Sequence, residues 1–235
     1  GYHNGRYRVL GETMDTGVGN AIDKFTRHVG WSHPGGPKVE AHAKDGDYVE
    51  LPYVVKGMDF SFSGITSAAK DAYDDGVPVE DICRGLQETV FAMLTEVAER
   101  ALSLTGSDQL VLGGGVGQNE RLQAMLERMC DDRGAAVFAP ENRFLADNAG
   151  MIAVLGAMMY EAGDTIPVDE SRVRPAFRPD QVPVTWRDGE SVTRVHTDER
   201  TVQGAEAIVE FEDGTVRKRR VPKGYRHPDL DDRLR

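Results

Sequence analysis

The sequence contains few cysteines, few lysines and no long apolar run. No stretch reaches the roughly 18 apolar residues of a membrane-spanning helix, and the opening GYHNGRYRVLG lacks a signal-peptide core. These absences argue against membrane partners and favour a soluble, cytoplasmic protein. The two cysteines, Cys83 and Cys130, lie in helical patterns and form no CxxC pair. We therefore expect two buried free thiols.

Positive charge is also scarce. The 235 residues include 39 acidic and 28 basic side chains, so the formal net charge is -11, and only seven of the cations are lysines. Such a composition suits concentrated salt, although ordinary acidic cytosolic proteins share it. At molar salt the Debye length is only about 3 Å, so this charge does not exclude a nucleic-acid partner. At lower ionic strength, a pI near 5.0 argues against unaided phosphate binding.

The chain divides into three parts. Residues 1–163 alternate strand and helix patterns, which predicts an α/β layer with parallel strand pairing. Residues 164–191 contain several prolines and no apolar periodicity, so we expect a linker. Residues 192–235 contain two alternating apolar runs joined at Asp213 and Gly214, which predicts a hairpin in a small second unit.

Apolar periodicity predicts several helices in the first part. One covers Val18 to Val29, and a second begins at Pro37, where free N–H groups could bind an anion. A core helix runs from Pro78 to about Thr105, with apolar residues spaced by threes and fours. An apolar helix is expected to begin at Asp147.

A glycine-rich corner, Gly113–Gly115, joins a strand expected to be buried to a helix that opens at Asn119. Bare backbone there lets a ligand approach, and the helix start favours phosphate, as in dinucleotide-binding folds and in actin-like or sugar-kinase folds. The G-x-G-x-x-G fingerprint is incomplete, because Gln118 or Glu120 stands at the third glycine position. Glu141 ends the next strand at a plausible distance for a ribose contact, which keeps a nicotinamide dinucleotide-binding oxidoreductase open as an alternative.

Five separate segments together resemble one protein family. In chain order they read GETMDTGVGNAIDKFTRHVGWSHPGGPKVE, LPYVVKGMDFSFSG, LQETVFAMLTEVAERA, LVLGGGVGQNERL and FLADNAGMIA. They are similar to the second half of the archaeal and eukaryotic tRNA threonylcarbamoyladenosine synthase, the catalytic subunit of the KEOPS complex, formerly called an O-sialoglycoprotein endopeptidase. The resemblance covers about residues 5–178. It implies the actin-like, sugar kinase and Hsp70 ATPase fold, of which this chain would supply mainly the second lobe.

A second resemblance follows the linker. The segment GAEAIVEFEDGTVRKRRVPKGYRHPDLDDRLR resembles the opening of the small atypical kinase of the same complex, which some archaea fuse behind the synthase. This resemblance places Lys218 where a kinase strand lysine reaches ATP phosphates, and Gly204 in the turn that covers the nucleotide. Residues 192–235 would then be a truncated, β-rich start of a kinase N-lobe. No kinase activity is expected from them alone, because the sequence stops before a catalytic-loop aspartate.

The first resemblance implies an acyltransferase. Such synthases move a threonylcarbamoyl group from its adenylate to the amino group of an adenosine beside the tRNA anticodon. By resemblance, threonylcarbamoyl-AMP or ATP would be held by Asp23, Gly36, Glu40 and Asn119. Glu40 would accept ribose hydroxyl bonds, Gly36 would allow close packing, and Asn119 would cap its helix while facing the cleft. Taken singly, the same residues could be a solvated helix face, a turn and a helix cap.

The resemblance also assigns Asp147 as a ligand of a divalent ion, whether iron, zinc or magnesium, which would act as a Lewis acid. Asp147 could instead be a plain helix N-cap. The histidine pair and tyrosine that complete the family's metal site are missing, so Asp147 alone is not expected to hold a metal tightly. We therefore expect a fragment of a bifunctional synthase–kinase, inactive alone, with tRNA and other KEOPS subunits as partners. A non-catalytic KEOPS scaffold is the remaining alternative.

Overall fold

The computed structural model describes residues 1–3, 5–187, 201–212 and 215–235. It is a mixed α/β structure, and none of its helices is both long and apolar enough to cross a membrane. The helices are α1 (Val18–His28), α2 (Gly36–Ala43), α3 (Ser63–Asp74), α4 (Val79–Thr105), α5 (Glu120–Arg133), α6 (Asn142–Leu145), α7 (Ala149–Glu161) and α8 (Pro228–Leu234). The strands are β1 (Tyr2–His3), β2 (Arg6–Tyr7), β3 (Val55–Lys56), β4 (Asp59–Phe60), β5 (Gln109–Val111), β6 (Ala136–Phe138), β7 (Thr201–Gln203), β8 (Ala207–Glu212) and β9 (Thr215–Arg220). Short 3-10 helices cover Gly115–Gln118, Val168–Glu170 and Pro179–Gln181.

The core is built around α4, as its apolar spacing predicts. Pro78 is its N-cap, and Gly106 ends it in the left-handed conformation at φ 65°. Helices α2, α3 and α5 pack against α4. The side chains of Phe25, Phe62 and Phe91 are fully buried around it, as are both cysteines, so the expectation of buried free thiols is confirmed.

Among the described strands only β5 and β6 pair in parallel, and one isolated parallel bridge joins Thr13 to Phe60. The expectation that β5 is a buried strand is wrong. Leu110 contacts the core, but Val111 is 75% exposed, because the helices cover only one face of this pair. The remaining strand pairs are antiparallel.

The apolar helix α7 begins later in the chain than predicted and is exposed along its length. It begins at Ala149, and its N-cap is Asn148, whose Oδ1 accepts a hydrogen bond from Met151 N at 3.0 Å. Asp147 precedes the cap, so the predicted helix start and the cap interpretation of Asp147 are both wrong. None of the residues of α7 is buried, and Ile152 is 70% exposed.

The last segment, which is the described part of residues 192–235, packs on the first unit, residues 1–163. Strands β8 and β9 pair as the hairpin pattern predicts, with Glu212 opposite Thr215, while the turn residues Asp213 and Gly214 lie outside the described residues. Tyr225 is 2% exposed and joins the core around α4, and Leu230 in α8 is fully buried. The stretch proposed as a kinase start therefore shares a packed interface with α4.

Candidate functional site

The loop before α2 is held by Asp23 of α1. Asp23 Oδ1 accepts a hydrogen bond from Gly35 N at 2.9 Å, and Asp23 Oδ2 lies 3.2 Å from His33 Nδ1. Both carboxylate oxygens therefore contact the loop, which brings Asp23 beside the start of α2. Asp23 is not a solvated helix residue, because its side chain is only 21% exposed.

The two glycines at this start have different surroundings. A Cβ at Gly35 would lie 2.2 Å from Thr26 Oγ1 and 2.9 Å from Asp23 Oδ1, so only glycine fits between the loop and α1. A Cβ at Gly36 would meet no atom within 4 Å. Gly36 therefore borders open space, as a backbone that a ligand approaches must.

Glu40 connects α2 to the start of α5. Its Oε1 accepts a hydrogen bond from Glu120 N at 2.8 Å, across 80 positions of sequence. Its other oxygen, Oε2, has no hydrogen-bond partner within the described ranges, so it can accept a bond from a ligand hydroxyl. The carboxylate thus has one structural and one free oxygen.

Asn119 is the N-cap of α5, as the sequence predicts. Its Oδ1 accepts from Arg121 N at 2.9 Å and Leu122 N at 3.2 Å, and its Nδ2 donates to Gln87 Oε1 at 3.0 Å. With Glu120 N bound to Glu40, the first amides of α5 are already paired. The expectation that this helix start binds phosphate is therefore wrong, because its amides have protein acceptors.

The glycine-rich corner packs against both α1 and α6. A Cβ at Gly19 would lie 3.5 Å from Val116 Cγ2, and one at Gly117 would lie 3.4 Å from Leu145 Cδ2. The 3-10 helix Gly115–Gln118 therefore lies between α1 and the chain segment that leads to Asp147. Asp147 follows Leu145 by two residues and is exposed. The segment that carries Asp147 therefore lies next to the site. Asp147 itself makes no contact with Asp23, Glu40 or Asn119 in the described part of the molecule.

A complete metal site is not formed by the described residues. No group of three or more His, Cys, Asp or Glu side chains among them could hold an ion. Asp147 can supply one oxygen, and divalent cations require several ligands. These residues alone do not fit a tightly bound metal.

Asp15 is a structural carboxylate that the sequence did not single out. Its oxygens accept a hydrogen bond from the Ser61 hydroxyl. They also accept one from each of the backbone amides of Phe62 and Ser63, both at 3.0 Å. Burial alone would raise the pKa of Asp15, but these hydrogen bonds and one from Thr16 N hold it well below its usual range. Asp15 thereby connects the loop before α1 to the start of α3. The serines of DFSFSG are its only sequence signal.

Buried carboxylates on α4 form the second feature that sequence reasoning missed. Glu88, Glu96 and Glu99 are 0%, 7% and 2% exposed. Arg121 binds Glu88 through two nitrogens at 2.8 Å, and Arg226 Nη2 lies 2.6 Å from Glu96 Oε2. Glu99 Oε1 accepts from Lys223 Nζ at 2.6 Å. The cations that neutralise Glu96 and Glu99 thus come partly from the last segment of the chain.

Two tyrosines complete this cluster. Burial raises the pKa of the Tyr225 hydroxyl far above its usual range, although Arg226 opposes the shift, and Glu99, which accepts its hydrogen bond, adds to it. Burial and the adjacent Glu96 raise the pKa of Tyr53 in the same way. Both hydroxyls therefore stay protonated and act as donors.

The residues assigned to the kinase-like start lie at the junction with α4. Gly204 N donates to Ala207 O at 2.9 Å, which closes a tight turn. Lys218 Nζ lies 3.8 Å from Glu206 Oε2, and Glu206 Oε1 lies 3.2 Å from Arg100 Nη2 of α4. The roles of Gly204 and Lys218 in nucleotide binding stay predictions.

Comparison with known proteins matches residues 1–154 to a family described as TsaD: tRNA N6-adenosine threonylcarbamoyltransferase. Three relatives are each named as a probable bifunctional tRNA threonylcarbamoyladenosine biosynthesis protein. They come from Natronomonas pharaonis, Haloarcula marismortui and Methanospirillum hungatei and are 76%, 72% and 58% identical. Each alignment covers 100% of this chain but only 44%, 43% and 44% of the relative, so the chain spans less than half of their length.

Among solved structures, the crystal structure of T. kodakarensis HypF matches with a TM-score of 0.43 and 21% identity, over 56% of this chain and 17% of that one. This likeness is too weak to assign a fold. The nicotinamide oxidoreductase and scaffold alternatives gain no support from the family match or from the names of the relatives.

Proposed function

The chain belongs to the TsaD family of tRNA N6-adenosine threonylcarbamoyltransferases, and from this premise we propose that it holds the nucleotide of an activated threonylcarbamoyl donor. In the intact protein the group would pass from this donor to the amino group of a tRNA adenosine. The main support is the chain of contacts that joins Asp23, the Gly35–Gly36 loop, Glu40 and the start of α5. These contacts bring all four proposed binding residues, Asn119 included, to adjoining positions.

The proposed roles follow from which atoms remain free. Glu40 Oε2 accepts a hydroxyl of the donor's ribose, while Oε1 stays bound to Glu120 N and fixes the carboxylate. Gly36 lets the sugar or base approach the backbone. Asp23 positions the loop through both oxygens, and since each carboxylate oxygen can accept a second hydrogen bond, it can also accept one from the donor. Asn119 keeps one Nδ2–H available beyond its bond to Gln87.

The reaction needs little more from this part of the protein than positioning. The adenosine amine attacks the carbonyl carbon of the mixed anhydride, a C–N bond forms, and the C–O bond to phosphate breaks with its electron pair leaving on AMP. Holding the nucleotide fixed presents that carbonyl to the incoming amine, so part of the entropic cost is met by binding. Orientation is therefore the contribution that we assign to Glu40 and Gly36.

Members of this family need a metal ion, which would polarise the donor when bound. We assign Asp147 as one oxygen ligand, because it follows the segment that packs on the glycine-rich corner. The other ligands must come from groups outside the described residues. Those ligands would also determine whether the metal is iron, zinc or magnesium. Substrate tRNA and KEOPS subunits are the proposed partners.

Glu40→Gln in the full-length protein tests the proposal. Glutamine keeps an oxygen for Glu120 N but loses the charge that strengthens a ribose hydrogen bond, a difference of about 1–1.5 kcal/mol or roughly 5- to 13-fold in donor affinity. Modified nucleoside in digested tRNA, measured against donor concentration, should show this as a raised KM. Glu120→Gln is the matched control, since its side chain is 84% exposed. An unchanged KM in Glu40→Gln would exclude Glu40 from donor binding.

The kinase-like start carries a separate proposal. In the intact bifunctional protein, Lys218 would contact ATP phosphates and Gly204 would cover the nucleotide. Lys218→Ala is then expected to abolish ATP hydrolysis or autophosphorylation by the kinase part while leaving tRNA modification intact. Loss of donor binding instead would contradict the proposed boundary between the two units.

A further inference from the structure

Strand β9 concentrates positive charge in an acidic protein. Residues 215–235 contain eight of the 28 cations and three acidic residues, whereas acidic side chains outnumber basic ones over the whole chain. Four of the eight, Arg217 to Arg220, are consecutive, and every residue of β9 is exposed. This local excess of positive charge is opposite in sign to the formal net charge of -11.

The two faces of β9 have different surroundings. Arg220 stands opposite Ala207, which is 3% exposed, and Arg220 lines a 270 Å³ cavity together with Glu96 and Arg100 of α4. Lys218 shares this face and approaches Glu206. This face therefore points toward the first unit. Arg217 and Arg219, hereafter the β9 arginine pair, project from the opposite face.

The β9 arginine pair lacks the partners that other cations have. Neither Arg217 nor Arg219 forms an ion pair or side-chain hydrogen bond with any residue that the structure describes, whereas Lys223 and Arg226 are bound to buried carboxylates. β9 is also an edge strand in the order β7-β8-β9. Charged side chains on an edge strand discourage pairing with strands of other chains. Acidic side chains would prevent such pairing as well as the arginines do. Glu210 stands opposite Arg217 on this face, but no ion pair joins the two side chains in the described part of the molecule, so both guanidinium groups remain open to another anion.

We propose that the β9 arginine pair binds backbone phosphates of the tRNA substrate, a proposal that rests on the proposed transferase function. Residues two apart on a strand lie roughly 7 Å apart on one face, so two guanidinium groups can contact neighbouring phosphates of one RNA strand. The contacts are independent of sequence, because every nucleotide carries the same phosphate group. Lys218, on the other face, stays available to a nucleotide.

The experiment compares tRNA binding by the full-length protein and by R217E/R219E. Anisotropy of a labelled, unmodified tRNA transcript is measured from about 0.2 to 1 M salt, with circular dichroism at each salt to verify folding. The variant is expected to bind about 10-fold more weakly at the lowest salt, and its slope of log affinity against log salt should fall by about two. The KM for tRNA should rise while kcat is unchanged. R217Q/R219Q, which removes the two charges without reversing them, should show the same changes at smaller size and is the variant to use if the charge reversal unfolds the hairpin.

The matched control is R6E/R8E, which reverses two exposed arginines of the same spacing beside β2. Equal weakening in control and variant would mean a general effect of net charge and would overturn the proposal. So would unchanged affinity and slope in both β9 variants. Weaker sedimentation of R217E/R219E with phosphatidylserine vesicles, at unchanged tRNA affinity, would assign the pair to a membrane and overturn the RNA assignment. Absence of modified nucleoside in the unsubstituted protein would refute the transferase function, independently of these outcomes.

Discussion

At the scale of single residues, the proposed donor site contains neighbouring groups that differ in whether the protein already occupies the space or the bonding site beside them. Gly35 and Gly36 are adjacent, yet the first is enclosed by α1 and the second borders open space. The same contrast holds within Glu40, where one oxygen is bound to Glu120 N and the other has no partner among the residues that the structure describes. Structural and binding roles can therefore be separated by single substitutions.

Gly35→Ala should destabilise the fold, and Gly36→Ala should not. The new Cβ at position 35 would overlap Thr26, which is 1% exposed and cannot move away, at a cost of about 1–3 kcal/mol. Alanine at position 36 meets no atom, so the free energy of unfolding should change by less than about 1 kcal/mol while donor affinity falls. Urea unfolding followed by circular dichroism measures the first effect, and donor titration measures the second. Equal stability of the two variants would contradict the close packing at Gly35.

Asp15 should make stability depend on acid pH. Its pKa in the folded protein is below the unfolded value of 3.8, so its contribution is present in full above that value and is lost as pH falls below it. Asp15→Asn should lower the free energy of unfolding at pH 7 by about 1 kcal/mol, because the charged cap of α3 is lost. The difference from the unsubstituted protein should shrink by pH 3. Asp45→Asn, at an exposed position, should show neither effect, and a pH-independent loss in Asp15→Asn would refute the role of ionisation.

At the scale of elements, hydrophobicity does not determine burial. Helix α7 is more apolar than α4, but α4 is buried on most sides and α7 is not buried at any residue. The exposed side chains include Ile152, Val154 and Tyr160, at 70%, 63% and 75%. An apolar helix with this exposure leaves a large surface that water hydrates unfavourably.

Ile152→Lys should therefore leave stability nearly unchanged in this chain. The expected change in the free energy of unfolding is within about 0.5 kcal/mol, since the side chain makes few buried contacts. Met125→Ala, at a fully buried position of α5, should cost about 2–5 kcal/mol. Denaturant unfolding of both variants tests the contrast, and binding of a hydrophobic dye should fall only in Ile152→Lys. A large loss of stability in that variant would mean that α7 is covered in solution.

At the scale of the whole molecule, the last segment and the first unit are joined by buried charge. Arg226 is 9% exposed and binds both Glu96 and Asp231. Burial alone would lower its pKa, but Tyr225, Tyr53 and Glu96 raise it, so the guanidinium is firmly charged. The interface thus depends on mutual neutralisation as well as on the packing of Tyr225 and Leu230.

Arg226→Ala should cost about 1–3 kcal/mol, because it removes one of the two arginines that neutralise the buried Glu96 carboxylate and leaves only Arg100. Urea unfolding at neutral pH measures this loss. Arg6→Ala removes an exposed arginine and should change stability by less than about 0.5 kcal/mol. A loss below about 1 kcal/mol in Arg226→Ala would show that the last segment is not held by this pair.

Local sequence determined the elements whose signals lie within a few residues. The extent of α4, the cap at Asn119 and the β8–β9 pairing all follow from periodicity, capping and turn preferences. The ordered motifs also identified the family, which the match over residues 1–154 confirms. These features depend on neighbours at fixed chain spacing, so one sequence is enough to read them.

Only the tertiary structure decided which polar atoms are already used and which apolar residues are covered. The bond from Glu40 to Glu120 N spans 80 positions, and the pair of Arg226 with Glu96 spans 130, so no local pattern announces either. The same holds for the wrong expectations at β5, at Asp147 and at the phosphate-binding start of α5. Burial and hydrogen-bond pairing belong to the packed chain, because they depend on which distant segments fill the space around a side chain.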